Sequence, residues 1–169
     1  VKVTCGIDPG KLGALAWISD VAVQVIPMPV IRAAKGRHEY DLPAIVSLLK
    51  RSHVSTTVYL ERGQPLPRIL RGKPMGGASA NYHRGYSRGL FEGILTALGI
   101  PYVLVSPRSW QKEMLQGTSG KDTKQRSVIA AQRLFPGVSL LPTERFRKAS
   151  DGMADSLLIA EHGRRARGG

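Results

Sequence analysis

The chain has 169 residues, 42% of them hydrophobic, which is enough for one domain with a sizeable core. Its 25 lysines and arginines against 12 acids leave a formal net charge of +13 and a pI near 10.5, an excess that attracts polyanions, nucleic acid first among them. A single cysteine excludes an internal disulfide and fits a reducing compartment; no uninterrupted apolar run is long enough for a membrane span, and cysteine and histidine spacing offers no zinc motif.

In the first stretch, Val1–Gly13, Val1, Val3, Cys5 and Ile7 are mostly β-branched and stop at Asp8-Pro9-Gly10. This predicts a buried strand ending in a tight turn, with a carboxylate at the strand end. Turn chemistry alone accounts for Asp, Pro and Gly in a row. An acid at that place can also hold a metal ion or orient a phosphate. Leu12–Ile18 runs apolar again and returns as a second strand, and Val21–Met28 predicts a third. Pro27, Pro29 and the polar run Ala33–Arg37 read as a mobile loop. Asp41 caps a helix through Lys50 with Pro43 in its first turn. Thr56–Leu60 is a short β-branched strand that ends on Glu61. Residues Arg62–Asn81 hold three prolines, four glycines and four basic residues, and predict a long, mobile basic loop.

Tyr82–Leu98 is predicted helical, with Gly85, Gly89, Gly93 and Ala97 on one stripe. Each internal glycine costs about 1 kcal/mol of helix stability relative to alanine, so three in register point to close approach of another backbone. That backbone belongs to the chain's own sheet or to a second subunit, and the second subunit is the expectation adopted. Ile100–Val105 is a strand, Ser106-Pro107 opens a short helix through Met114, and Thr123–Phe135 is a further helix. Asp151–Arg165 is the last helix, with Ser150 as its N-cap, followed by a basic tail at about 164–169. The order of elements predicts an α/β fold: one mixed five-stranded sheet, antiparallel at one side, flanked by helices. The whole chain, 1–169, reads as a single domain.

The acids carry the chemistry. Asp151 and Asp155 lie four apart on one helix face, where like charges repel unless a cation stands between them. The dipole of a helix N-terminus is sufficient reason for Asp151, less so for Asp155 one turn further in. Of twelve acids, four sit at two strand ends and in the first turns of the final helix. Convergent carboxylates suit Mg²⁺ or Mn²⁺, and two such ions about 4 Å apart can activate water and stabilise a leaving oxygen in phosphodiester cleavage.

Together, Gly6-Ile7-Asp8-Pro9-Gly10, Val58-Tyr-Leu-Glu61, Val105-Ser-Pro-Arg-Ser-Trp-Gln-Lys112 and Asp151-Gly-Met-Ala-Asp155-Ser-Leu-Leu-Ile-Ala resemble the RuvC-like Holliday junction resolvases, closest to their phage and organelle-type branch. The resemblance covers most of the chain in order. It implies an RNase H-like fold, a homodimer, and paired Mg²⁺-dependent incisions in four-way DNA junctions, with two ions per site held by Asp8, Glu61, Asp151 and Asp155. By the same resemblance, Lys112 and Lys124 fall near lysines that support cleavage. Two departures stand out. The last two acids are four apart rather than the three of bacterial members, and the position of the bacterial aromatic wedge is Gln64. Strand separation is then expected from Leu66, Ile69, Leu70 or Met75 in the loop. The expected location is the cytoplasm or nucleoid, a host cytoplasm for a phage-encoded form, or an organelle for a form with a removed leader.

Basic residues group beside these acids: Arg62, Arg68, Arg71 and Lys73 after Glu61, Arg84 and Arg88 on the glycine-striped helix, and Arg145, Arg147 and Lys148 before Asp151. Any one arginine can be an ordinary solvated residue; as groups they are expected to bind DNA phosphates. His162, seven residues after Asp155, is either a surface histidine or an aid to water at the site. Three other readings compete. A sugar-kinase or actin-like ATPase would need a second lobe that 169 residues do not supply. A related nuclease acting on structured or pre-ribosomal RNA shares the strand-end acids. A non-catalytic junction-binding protein would have no use for all four.

Overall fold

The computed structural model describes residues 2–51, 55–64, 69–70, 73–74 and 77–168. Among them, strands β1 (Val3–Asp8), β2 (Ala14–Ile18), β3 (Val23–Pro27), β4 (Val30–Arg32) and β5 (His38–Tyr40) precede helix α1 (Leu42–Arg51). Strand β6 (Thr56–Glu61), the two-residue strands β7 (Ile69–Leu70) and β8 (Lys73–Pro74), helix α2 (Ala78–Ala97) and strand β9 (Tyr102–Val105) follow. Helices α3 (Pro107–Met114), α4 (Thr123–Leu134) and α5 (Asp151–Gly168) complete the chain.

The sheet runs β3-β2-β1-β6-β9, with β1, β2 and β3 antiparallel and β6 and β9 parallel to β1. This is the mixed sheet expected of a hairpin-first α/β chain. Alternation along the strands divides the core in two. Cys5 and Ile7 of β1 and Val58 and Leu60 of β6 join Ile45, Leu49, Phe91 and Leu95 of α1 and α2 on one face. Tyr59 and Val105 join Trp110, Ala130, Leu157 and Leu158 of α3, α4 and α5 on the other. Asp8 and Glu61 each stand one residue past the Ile7–Leu60 register pair of parallel neighbours. Period two therefore sends both carboxylates to the α5 side.

Helix α5 lies on the backbone of the sheet rather than above its side chains. A Cβ on Gly6 would come 2.2 Å from the Ser156 carbonyl oxygen and 2.4 Å from the Ala160 nitrogen. One on Gly152 would meet the Leu12 carbonyl oxygen at 2.1 Å, and one on Gly163 would enter the Tyr59 ring. Bare glycines thus draw α5 in until its run from Ser156 to Glu161 is fully enclosed.

The structure corrects several expectations. Residues 30–40 are not a plain loop but a short antiparallel hairpin, β4 with β5, closed by the single-turn 3₁₀ segment Ala34–Gly36. Helix α2 begins at Ala78, four residues before Tyr82, because Gly77 in extended backbone forms its entry. Its glycines do not meet this chain's own sheet: among the described residues nothing lies within 4 Å of a Cβ placed on Gly85, Gly89 or Gly93. Among the described residues no helix is long and apolar enough to cross a membrane.

Candidate metal and nucleic-acid site

The acids gather where β1, β6 and the start of α5 meet. Asp8 Oδ1 accepts a hydrogen bond from the Gly10 amide at 3.1 Å, so the turn that follows the strand also aims its carboxylate. Gly13 makes room for this, since a Cβ there would lie 2.7 Å from the Asp8 carboxyl carbon. Glu61 Oε2 accepts from the indole N–H of the fully buried Trp110 at 2.8 Å. Asp151 opens α5, whose first turn is capped by the Ser150 hydroxyl accepting from the Met153 amide, and its Oδ2 lies 2.7 Å from Lys124 Nζ on α4. Asp155, one turn on, keeps a buried Oδ1 that makes no hydrogen bond among the described residues.

Burial is the first cause of an unusual set of carboxyl pKa values, and mutual repulsion adds to it. Asp8 is pushed up to about 6 by burial, with the Gly10 amide and Lys124 opposing and the Asp151 charge assisting. Glu61 is pushed up to about 8 by burial and by Asp8 and Asp155, against the Trp110 hydrogen bond. Asp155 reaches about 7 through burial and the charges of Asp8 and Asp151, with the neighbouring Ser127 hydroxyl and Lys124 pulling the other way. All four acids therefore share one electrostatic field. They do not share one coordination shell: among the described residues no three acidic, histidine or cysteine side chains stand close enough together to hold a metal ion. Asp8, Glu61 and Asp151 are each held by a partner of their own. The donor set nevertheless fits a hard divalent cation. Excess buried negative charge and the unpartnered Asp155 oxygen are both relieved by one, and carboxylates are the ligands Mg²⁺ and Mn²⁺ prefer.

Asp8 and Glu61 open into a cleft of about 1090 Å³. Of the cations expected near the acids, Lys112 and Arg84 line this cleft, and Arg84 Nη1 is buried with no hydrogen-bond partner among the described residues. Lys124 reaches the acids through Asp151 instead. Arg62 is exposed beside Glu61, with Gly63 and Gln64 at the cleft wall. Arg88 is tied to Glu92 on its own helix, and Arg145, Arg147 and Lys148 are exposed on the segment leading to α5. Arg68, Arg71, Leu66 and Met75 lie outside the described residues, as do the side chains of Leu70 and Lys73; Ile69 is exposed. His162 does not face the acids; its Nδ1 pairs with Glu113 on α3.

Several lining residues were missed in the sequence. Lys11, Arg108 and Arg126 add positive charge to the cleft, and Tyr40, His83 and Ser87 form part of its wall. Lys11 directly follows Asp8-Pro9-Gly10 and Arg108 lies inside the Val105–Lys112 motif, and that placement was the available signal. Nothing local marks Tyr40, which the β4–β5 hairpin delivers, nor the pairing of Trp110 with an acid 49 residues earlier.

No family model and no curated protein sequence matches the chain. Solved structures do. Thermus thermophilus RuvC in complex with a Holliday junction substrate superposes with a TM-score of 0.56 at 15% identity, covering 100% of this chain and 97% of that one. A structure of Thermus thermophilus RuvC matches with a TM-score of 0.55 at 17% identity, covering 98% and 95% respectively. The chain thus has the RNase H-like fold of RuvC over its full length.

Proposed function

We propose that this protein is a structure-selective endonuclease that resolves four-way DNA junctions as a homodimer. One observation carries the reading: on a RuvC-type fold, four acids from two strand ends and one helix meet beside a cleft walled by cations. Asp8, Glu61, Asp151 and Asp155 would hold two Mg²⁺ or Mn²⁺ ions, which supply water activation and leaving-oxygen stabilisation in phosphodiester hydrolysis. The chain's own groups do the rest. Arg84, Arg108 and Lys112 hold backbone phosphates in the cleft, and the exposed Arg62, Arg145, Arg147 and Lys148 extend that field over the surface. Trp110 steadies Glu61, and Lys124 offsets the charge of Asp151. The open glycine face of α2 supports self-association, and a C2 dimer would present two identical sites to a two-fold symmetric junction. Such an enzyme would work wherever recombining DNA is found, in a cytoplasm, nucleoid or organelle.

The test is cleavage of a synthetic four-way junction in Mg²⁺, compared with linear duplex and single-stranded RNA. Paired nicks in the junction alone are expected; cleavage of RNA in preference would move the assignment to an RNA nuclease. Asp8→Asn should lower cleavage by at least about a hundredfold while junction affinity stays within about twofold, because phosphate contacts dominate binding. A folded variant that loses both together would remove Asp8 from the metal-ligand set.

A further inference from the structure

We infer that Tyr40 is a positioning residue for the Asp8 turn, wired through Ser87 to helix α2. The inference rests on the proposed site but is tested apart from it. Tyr40 is buried, and its hydroxyl donates to the Pro9 carbonyl at 2.7 Å, one residue past Asp8. The same hydroxyl lies 2.7 Å from Ser87 Oγ on α2, and Ser87 Oγ lies 2.7 Å from the His83 carbonyl. Two hydroxyl protons thus face three short oxygen contacts, and two of those oxygens are carbonyls that only accept.

The proton inventory selects an order. The His83 carbonyl already takes part in the main-chain ladder of α2. The arrangement that leaves fewest acceptors unmet sends the Ser87 proton to Tyr40 and the Tyr40 proton to Pro9. Ser87 then sets the direction in which Tyr40 donates, and Tyr40 pins the turn whose Gly10 amide aims Asp8. A second tether runs the opposite way across the same gap: Lys11 Nζ donates to the His38 carbonyl at 2.6 Å, with its charge 5.7 Å from the Tyr40 ring centroid. The β4–β5 hairpin therefore clasps both ends of the Pro9–Lys11 turn. A displacement of α2, whose Arg84 lines the cleft and whose glycine face is open, reaches Asp8 through two hydrogen bonds.

Tyr40→Phe removes the hydroxyl and keeps the ring that packs edge-on against Phe91. In the metal-free variant, amide hydrogen exchange at Gly10 and Gly13 should quicken about tenfold, the loss of roughly one hydrogen bond, while exchange in β6 and α5 stays unchanged. Mn²⁺ binding, read by titration calorimetry, should weaken severalfold with junction affinity unaltered. Ser87→Ala should move the same readouts in the same direction by less, since Pro9 keeps a donor whose direction is no longer set. Unchanged Gly10 exchange and Mn²⁺ affinity in a folded Tyr40→Phe protein would overturn the inference, as would a uniform loss of protection across the sheet. Neither readout requires cleavage, so a wild type that leaves junctions uncut, beside variants that show these effects, would refute the proposed function and leave the Tyr40 assignment standing.

Discussion

Two sets of glycines do opposite jobs in this molecule. Gly6, Gly13, Gly152 and Gly163 are filled-in positions: each gives up its Cβ to an atom of the same chain that already occupies the space. Among the described residues Gly85, Gly89 and Gly93 face open space, although their spacing along one helix makes them the more conspicuous set in the sequence. Gly6, Gly152 and Gly163 let α5 close onto β1, the turn after it and β6, while Gly13 makes room for the Asp8 carboxyl. Among the described residues the second closes nothing, and it leaves a smooth face available to a second copy. Periodicity in sequence marks a face; only the coordinates tell what stands against it.

The sharpest way to break the contrast is Gly6→Val. Its Cβ would fall 2.2 Å from a backbone oxygen of α5, where no flexible side chain can give way. Destabilisation of about 3 kcal/mol or more is expected, the upper end of overpacking, and is measured by urea unfolding. A near-neutral result would mean that α5 does not seat on β1 as described.

Gly89 should behave in the reverse manner. Gly89→Leu should shift the protein toward monomer, at an association cost of about 1–3 kcal/mol, and end coordinated double nicking before it affects metal binding. Gly89→Ala, in protein dilute enough to be monomeric, should raise stability by about 1 kcal/mol through helix propensity alone. Light scattering of wild type and variants decides the first, and thermal unfolding the second. A wild type that is monomeric at all concentrations would deprive the open face of its proposed partner.

A smaller effect probes the hold of α3 on the end of β6. Trp110→Phe keeps the bulk of a fully buried ring but removes the donor to Glu61. That bond lowers the Glu61 pKa, so its loss should raise it further, moving the rising limb of the cleavage pH profile to higher pH by up to about one unit. An unshifted profile would separate Trp110 from the chemistry.

The gentlest test uses pH alone. Asp8, Glu61 and Asp155 have folded-state pKa values raised to about 6, 8 and 7, above those of the unfolded chain. The folded state therefore holds protons more tightly, and the stability they contribute is full in acid and lost as pH rises through 6 to 8. In chelator, the melting temperature should fall by a few degrees between pH 5.5 and 8.5, and Mg²⁺ should restore it mainly at the alkaline end. A melting temperature that rises over this range would contradict the crowding of the three acids.

Much of this was readable without coordinates, for stated physical reasons. β-branched runs that stop at Asp8 and Glu61 mark strand ends, and Asp151 with Asp155 mark one face of a helix, because strand and helix periods are local properties of the chain. The hairpin-first order of elements likewise leads to a mixed sheet. Local rules do not reach further. That Asp8 and Glu61 share a side depends on the parallel register of β1 and β6, whose paired residues are 53 positions apart, as in Ile7 with Leu60. The hold of Trp110 on Glu61, of Lys124 on Asp151 and of Tyr40 on Pro9 depends on elements meeting after the chain has folded. Of the two readings of His162, neither names its partner Glu113, because seven residues carry it about 10 Å along the axis from Asp155, to where α3 stands. Local pattern alone marks the acids that stand at element ends and the face of α2 that is bare. Tertiary structure decided which acids share a field, which glycines are occupied by a neighbour and which are open, since both are matters of distance between segments that no local pattern encodes.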